Sequence, residues 1–190
     1  MGRKDKEKRQ KELKQFLEEN PFYTDEELAS HFNVSIQTIR LDRLALGIPE
    51  LRERTKWVAQ ENYEKVKSIT RAEIIGDLVD IKLNKEAISI LDIEEDMLME
   101  NAKVAKAHYL FDQADSLAIA LIDANVVLTG SARVRYKKPV YAGDRVIAKA
   151  VVKVKRKNAY LISVYSKVKG ELVFKGQFIV TVQTPGDGGT

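Results

Sequence analysis

His108, Asp112 and Asp115 fall at i, i+4 and i+7, a spacing that lines titratable side chains along one face of a helix, and Lys106 stands just ahead of them. Around them Val104, Ala105, Tyr109, Leu110, Phe111, Ala114 and the run 117–121 are apolar on almost every side. A helix of that kind belongs inside a domain, where a charge needs a reason. One reason is chemistry: a carboxylate there serves as general base or nucleophile on a thioester, while amides at the helix N-terminus polarise a carbonyl or hold an anionic group. The other is structure, with Asp115 accepting hydrogen bonds at a dimer interface and His108 a satisfied core histidine. The residues leave both readings open.

Gln37, Thr38, Arg40 and Arg43 suit a different partner. They sit on a predicted helix running from Ile36 through Ile39 and Leu41 to Leu44, capped by Ser35 and stopped at Gly47-Ile48-Pro49. Asn33, which tolerates left-handed backbone, makes the turn before it, and a shorter helix through Phe32 opens on the capping box Thr24-Asp25-Glu26-Glu27. Behind these, Leu13, Phe16 and Leu17 recur at helical spacing over 6–20. Two short helices with a tight turn and an earlier helix are the parts of a helix-turn-helix unit. Leu28, Ala29, Phe32, Val34, Ile39 and Leu44 would form its core, and Gln37, Thr38, Arg40 and Arg43 would face outward to read DNA. A three-helix structural module with a solvated polar face fits the same spacing. A further helix over 51–69 carries an incomplete apolar stripe of Leu51, Trp57 or Val58, and Val66; Arg52, Arg54 and Lys56 at its start face phosphates or merely solvent.

The segment that carries His108 and Asp115 needs a sheet to bury it. Strand-like runs cover 74–83, 130–138, 145–155, 159–168 and 172–182, with turns at Ala142-Gly143-Asp144, Lys157-Asn158 and Lys169-Gly170-Glu171 that make neighbouring strands antiparallel. In the second run Ala132, Val134 and Tyr136 alternate with Arg133, Arg135 and Lys137, giving one covered face and one wetter face. One long helix over 102–122 wrapped by a curved antiparallel sheet is the hotdog architecture. The expected class is therefore α+β: a winged-helix or helix-turn-helix-type domain over 1–49, a linker helix over 50–70, a hotdog domain over 71–184, and a frayed tail over 185–190.

Composition narrows the chemistry. The chain has no cysteine, which excludes disulfides, thiolate nucleophiles and cysteine zinc sites, and His31 and His108 are its only histidines, too few for a histidine metal cluster. It contains no glycine-rich phosphate loop and no Gly-x-Ser-x-Gly, so those enzyme classes are set aside and no cofactor is expected. A net charge of +4 suits a polyanionic partner without proving one. The charged N-terminus lacks an apolar signal stretch, and the apolar region 117–128 is too short to span a bilayer, so a cytoplasmic protein without membrane contact is expected.

Several segments carry a family resemblance: 34–43 (VSIQTIRLDR), 48–54 (IPELRER), 75–78 (IGDL), 87–93 (AISILDI), 108–117 (HYLFDQADSL) and 172–176 (LVFKG). In order, over nearly the whole chain, they resemble the FapR family of fatty-acid and phospholipid synthesis repressors of Gram-positive bacteria. The resemblance implies a homodimer that binds a palindromic operator and leaves it when malonyl-coenzyme A or malonyl-acyl carrier protein occupies the hotdog domain. It implies DNA contacts from Ser35, Gln37, Thr38, Arg40, Arg43, Arg52 and Arg54, and ligand contacts from Met99, Lys106, Ala107, His108, Phe111, Asp115 and Leu128. Segments 108–116 and 138–144 also resemble acyl-coenzyme A thioesterases, which implies an alternative, an enzyme with Asp115 as its catalytic carboxylate. The chain departs from the repressor pattern at Lys106-Ala107-His108, where relatives carry Arg-Gly-His, at Asp115, where they carry asparagine, and at Met99, where phenylalanine is common. Lysine keeps the arginine's charge and loses its two-pronged geometry, and a carboxylate at Asp115 repels a malonyl group unless compensated. A neutral acyl-coenzyme A effector, or residual hydrolysis, follows as an option.

Overall fold

The computed structural model describes residues 3–183, so the expected tail over 185–190 lies outside the described residues. The chain divides into two compact units, with the boundary between Trp57 and Val58.

The first unit holds α1 (Arg3–Glu19), α2 (Asp25–His31), α3 (Ile36–Ala45) and the start of α4 (Leu51–Tyr63), with no strand among its described residues. The local chemistry is as the residues predict. The Thr24 hydroxyl accepts from the Glu27 amide at 3.1 Å while the Glu27 carboxylate accepts from the Thr24 amide at 2.8 Å. Asn33 takes φ 51° in the turn, and the Ser35 hydroxyl accepts from the Thr38 amide at 3.1 Å to start α3. Leu13, Leu17, Leu28, Ala29 and Ile39 form the core, with Phe16, Tyr23, Phe32 and Val34 packed on it.

Leu44 does not join that core; it is 78% exposed. The inward stripe of α3 is Ile39, Asp42, Arg43 and the half-buried Leu46, and a residue five positions after Ile39 lies about 140° round the helix. Charged residues hold the inward places because neighbouring helices pair with them. Asp42 accepts from Arg9 Nε at 2.6 Å and from Gln10 Nε2 at 2.8 Å, which ties α1 to α3.

The second unit is a six-stranded antiparallel sheet in the order β1-β2-β4-β5-β6-β3, built from β1 (Asp77–Lys82), β2 (Glu86–Asp92), β3 (Val127–Tyr136), β4 (Arg145–Arg156), β5 (Ala159–Val168) and β6 (Glu171–Val182). It wraps α5 (Ala107–Ala120), whose Leu110, Ala114, Leu117 and Ala118 enter a core with Ile162, Val164, Phe174 and Phe178. This is the α+β hotdog arrangement. Gly176 lets β6 cross between the rings of Phe174 and Phe178, because a Cβ there would meet both.

Three expectations are corrected here. The helix over 51–69 stops at Tyr63; beyond it the chain runs as a strap whose Val66 and Ile69 pack on the hotdog core and whose Ser68 hydroxyl donates to Ile119 O at 2.9 Å. The strand over 74–83 is shorter, and a separate β2 follows it. The turn at Ala142-Gly143-Asp144 does not join neighbouring strands, since β3 pairs with β6 and β4 with β2 and β5. The connection from β3 to β4 instead crosses to the approach of α5, where Val140 O accepts from the Ala105 amide at 2.8 Å and Tyr141 bridges to Val104.

Candidate functional site

In the first unit, α3 presents Gln37, Arg40, Leu41 and Leu44 to solvent, with Ser35 exposed and Thr38 half-buried at its start. Ser35 and Thr38 share a hydroxyl contact of 2.9 Å, so both also serve the cap. Arg40 faces outward: its side chain is 58% exposed, with Nε donating to an Asp25 oxygen at 3.4 Å. Arg43 does not. It is 5% exposed, and it grips Asp25 with two donors, Nε at 2.7 Å and Nη2 at 2.8 Å, which joins α3 to α2. Burial alone would raise the Asp25 pKa, but the Arg43 and Arg40 hydrogen bonds and charges outweigh it and hold the carboxyl below its ordinary value. The outward placement of Arg43 is thus corrected, and its neighbour Asp42 is inward for the same kind of reason.

Arg54 is also internal. Each of its guanidinium nitrogens donates to a backbone carbonyl: Nε to Pro21 O at 2.9 Å, Nη1 to Pro49 O at 2.6 Å and Nη2 to Tyr23 O at 2.7 Å. Unlike a phosphate-contacting side chain, it staples the start of α4 to the loops of its own unit. Arg52 is exposed, and Lys56 is half-buried beside Glu53 at 3.3 Å.

In the second unit a cavity of about 390 Å³ opens at the N-terminus of α5, lined by Met99, Val104, Ala107, Leu110, Tyr136 and the 137–140 segment. Met99 and Ala107 were expected there. Lys106 is the residue before the helix; it flanks the cavity with its Nζ donating to Asp96 O at 3.2 Å. His108 is exposed against the Tyr109 ring at 4.3 Å, and Phe111 packs on Phe178 at 5.8 Å, so neither lines the cavity.

Asp115 lies two turns further along α5, half-buried, accepting from the Thr129 hydroxyl of β3 at 2.6 Å, and Leu128 beside that threonine is exposed. Burial raises the Asp115 pKa; the Thr129 hydrogen bond opposes this, and the Asp112 charge adds to it. Tyr136 on the cavity wall is raised too, by burial and then by Asp112, and its hydroxyl donates to Ala107 O at 3.2 Å. The predicted ligand residues therefore form two groups, Met99 with Lys106 and Ala107 at the cavity, and Asp115 with Leu128 along β3. Tyr136 and Val140 were missed as wall residues. For Val140 the signal was segment 138–144, read only as thioesterase-like; for Tyr136 it was its place on the covered side of the β3 alternation.

No family model matches the chain. It is 53% identical over 175 residues to transcription factor FapR of Caldanaerobacter subterraneus, covering 92% of this chain and 88% of that protein. It is 49% identical over 175 residues to transcription factor FapR of Halalkalibacterium halodurans, covering 92% and 94%. The chain belongs to the FapR family of transcription factors. Identity on this scale spans both units, so the α3 face and the α5 cavity belong to one FapR-type regulator. Among solved structures, an uncharacterised Pyrococcus horikoshii protein, PH1136, is 26% identical with a TM-score of 0.57, covering 60% of this chain and 88% of that one. A Campylobacter jejuni virulence protein, Cj0977, aligns with a TM-score of 0.62 over 68% of this chain and 92% of its own, and at 17% identity it supports the fold alone. No helix among the described residues is long and apolar enough to cross a membrane.

Proposed function

We propose that this FapR-family protein is a DNA-binding repressor of fatty-acid and phospholipid synthesis genes that leaves its operator when an acyl-coenzyme A thioester occupies the hotdog domain. One observation carries the reading: a regulator's chain holds, in the unit without the reading helix, a ligand-sized cavity of about 390 Å³ walled by apolar side chains at a helix N-terminus. Gln37, Thr38 and Arg40 read bases or grip phosphates, and Leu41 suits a thymine methyl group. β3 ends the sheet with an edge of 10 residues carrying Leu128, Ala132 and Tyr136 exposed, which suits pairing with a second copy, and a homodimer places two reading helices on a palindromic site.

The effector is malonyl-coenzyme A or a related acyl-coenzyme A, and Lys106 is the cation for a malonyl carboxylate. Its Nζ, held now by a single carbonyl, has donors to spare. The ligand acts by binding one arrangement of the chain more tightly than the arrangement that fits DNA. The test is fluorescence anisotropy of operator DNA at fixed salt, adding malonyl-, acetyl- and longer acyl-coenzyme A in turn. Release by malonyl-coenzyme A at lower concentration than by the others is expected; release by none contradicts the reading.

A second reading rests on Asp115. Its raised pKa and its place beside Thr129 are the environment of a carboxylate that acts on a thioester. Steady-state hydrolysis of acyl-coenzyme A by wild type and Asp115→Asn separates the readings: turnover lost with the carboxylate favours the enzyme, and no turnover in either favours the regulator.

A further inference from the structure

One row of side chains crosses the inner face of the hotdog sheet from strand to strand. Ser89 of β2 stands opposite Ala148 of β4, Ala148 opposite Ser166 of β5, Ser166 opposite Phe174 of β6, and Phe174 opposite Tyr136 of β3. Opposed residues share a face, so the row is continuous beneath α5. Its β2 end is small and polar where a core is ordinarily large and apolar. Ser89, Ala148 and Ser166 are fully buried, and Gln113 of α5 is fully buried against Ser89.

The Gln113 amide is oriented by what it meets. Its Nε2 lies 3.4 Å from Ser89 O, 3.2 Å from Ser89 Oγ and 3.3 Å from Val146 O. Two of the three are carbonyl oxygens, which only accept, so the amide nitrogen and not its oxygen faces the sheet. As a source of stability the arrangement is poor. Gln113 Oε1 and the Ser166 hydroxyl are buried with no hydrogen-bond partner among the described residues. A buried polar atom left unpaired costs more than the apolar group that could replace it, so stability does not account for the amide.

Position does. Apolar contacts have no direction, and the face of α5 that carries Leu110, Ala114, Leu117 and Ala118 would let the helix slide or turn on the sheet. Hydrogen bonds stop it at both ends of one interval. At one end Gln113 reaches β2 and β4. At the other the Tyr136 hydroxyl, from the far end of the same row, donates to Ala107 O at 3.2 Å. Six residues of helix, about 9 Å, separate the two holds. Leu110 lies midway, and Ala107, Leu110 and Tyr136 all line the cavity.

We propose that Gln113 is a positioning residue for acyl selectivity: by fixing α5 on the sheet it sets the width of the cavity at the helix N-terminus, and so which acyl group fits. The inference rests on the acyl-coenzyme A reading above and deepens it. Gln113 is not among the residues that line the cavity, so it acts through Ala107 and Leu110 and not by touching the ligand. Its buried amide gives α5 a defined place at some expense of stability.

Titration calorimetry of the full chain with malonyl-, acetyl- and hexanoyl-coenzyme A tests this, with melting curves of the same samples. Gln113→Met keeps the volume and removes both amide atoms, so it should melt no lower than wild type. The ratio of malonyl- to hexanoyl-coenzyme A affinity should nevertheless fall by about tenfold, the scale on which pockets tell acyl groups apart. Ser89→Ala, which removes one of three acceptors, should lower the ratio less. Ser166→Ala removes a hydroxyl that holds nothing and should leave the ratio within about twofold of wild type. A wild-type ratio in Gln113→Met overturns the positioning role and leaves acyl sensing standing. So does a variant that loses all three esters in proportion together with its melting temperature, because Gln113 then serves only the fold. Equal binding of the three esters by wild type overturns the positioning role too, since there is no selectivity to set. If wild type binds none of them, the acyl-sensing reading falls and the positioning role with it.

Discussion

Helices α3 and α5 both press charged side chains against the core of their own unit, and they treat them in opposite ways. On α3, Asp42 and Arg43 are almost fully buried, and each is met by opposite charge or a polar partner from another helix: Arg9 and Gln10 for one, Asp25 for the other. On α5, Asp115 is half-buried with a neutral hydroxyl as its partner among the described residues, and Lys106, the residue before the helix, donates to a backbone carbonyl. A buried charge that is paired holds the fold, because removing either partner strands the other. A charge left without a counter-ion keeps its capacity for a ligand.

The largest expected effect is on the paired side. Arg43→Ala leaves the Asp25 carboxylate with the exposed Arg40 at 3.4 Å as its cation and should cost the first unit about 3 kcal/mol. Amide hydrogen exchange should show the loss in α1 to α3 with the hotdog amides unchanged. If Arg43→Ala instead kept its stability and lost DNA, the contrast between the two helices would be wrong for α3. Arg40→Ala sharpens the same point: stability within about 0.5 kcal/mol of wild type, and operator affinity lower by about 1–3 kcal/mol in anisotropy titrations.

Next in size is the pH dependence of Asp115. Burial raises its pKa above the ordinary 3.8, so the folded state favours the protonated form. That contribution is full below the ordinary value and is lost as pH rises through the folded one. Asp115→Asn cannot lose it. Melting curves across that window should therefore show wild type falling relative to the variant as pH increases, and parallel curves would break the assignment. The smallest effect belongs to Thr129→Val, which removes the hydrogen bond that opposes the shift; carbon NMR of the Asp115 carboxyl should show the pKa move further up.

Much of this was legible from residue order. The capping box at Thr24, the turn at Asn33 and the Ser35 cap are local chemistry, and local chemistry is written in adjacent residues. The apolar helix and the alternation in β3 were readable for the same reason, since period and burial are linked. What failed was non-local. Arg43 and Leu44 could not be placed in or out by spacing alone, because the choice depends on Asp25 reaching α3 from α2. Arg54 reads as a solvent cation until the loops that supply Pro21 O and Tyr23 O are folded against it. β2 was hidden because its short apolar run shows no clear period. The Tyr136 and Val140 walls became visible only once β3 was seen to pair with β6, which sends the 137–144 connection past α5. Helix spacing and the charge run, like the family resemblance, put Arg43 and Arg54 among the outward cations, and the structure turns both inward.

The central claim is that the hotdog cavity and the α3 face are coupled, and linkage makes that claim reciprocal. The direct measurement is the affinity of malonyl-coenzyme A for the free protein and for the protein saturated with operator DNA, by titration calorimetry at one salt concentration. The account predicts weaker ligand binding to the DNA-bound protein, by the same factor by which the ligand weakens DNA binding. Equal affinity for the free and DNA-bound protein would contradict it.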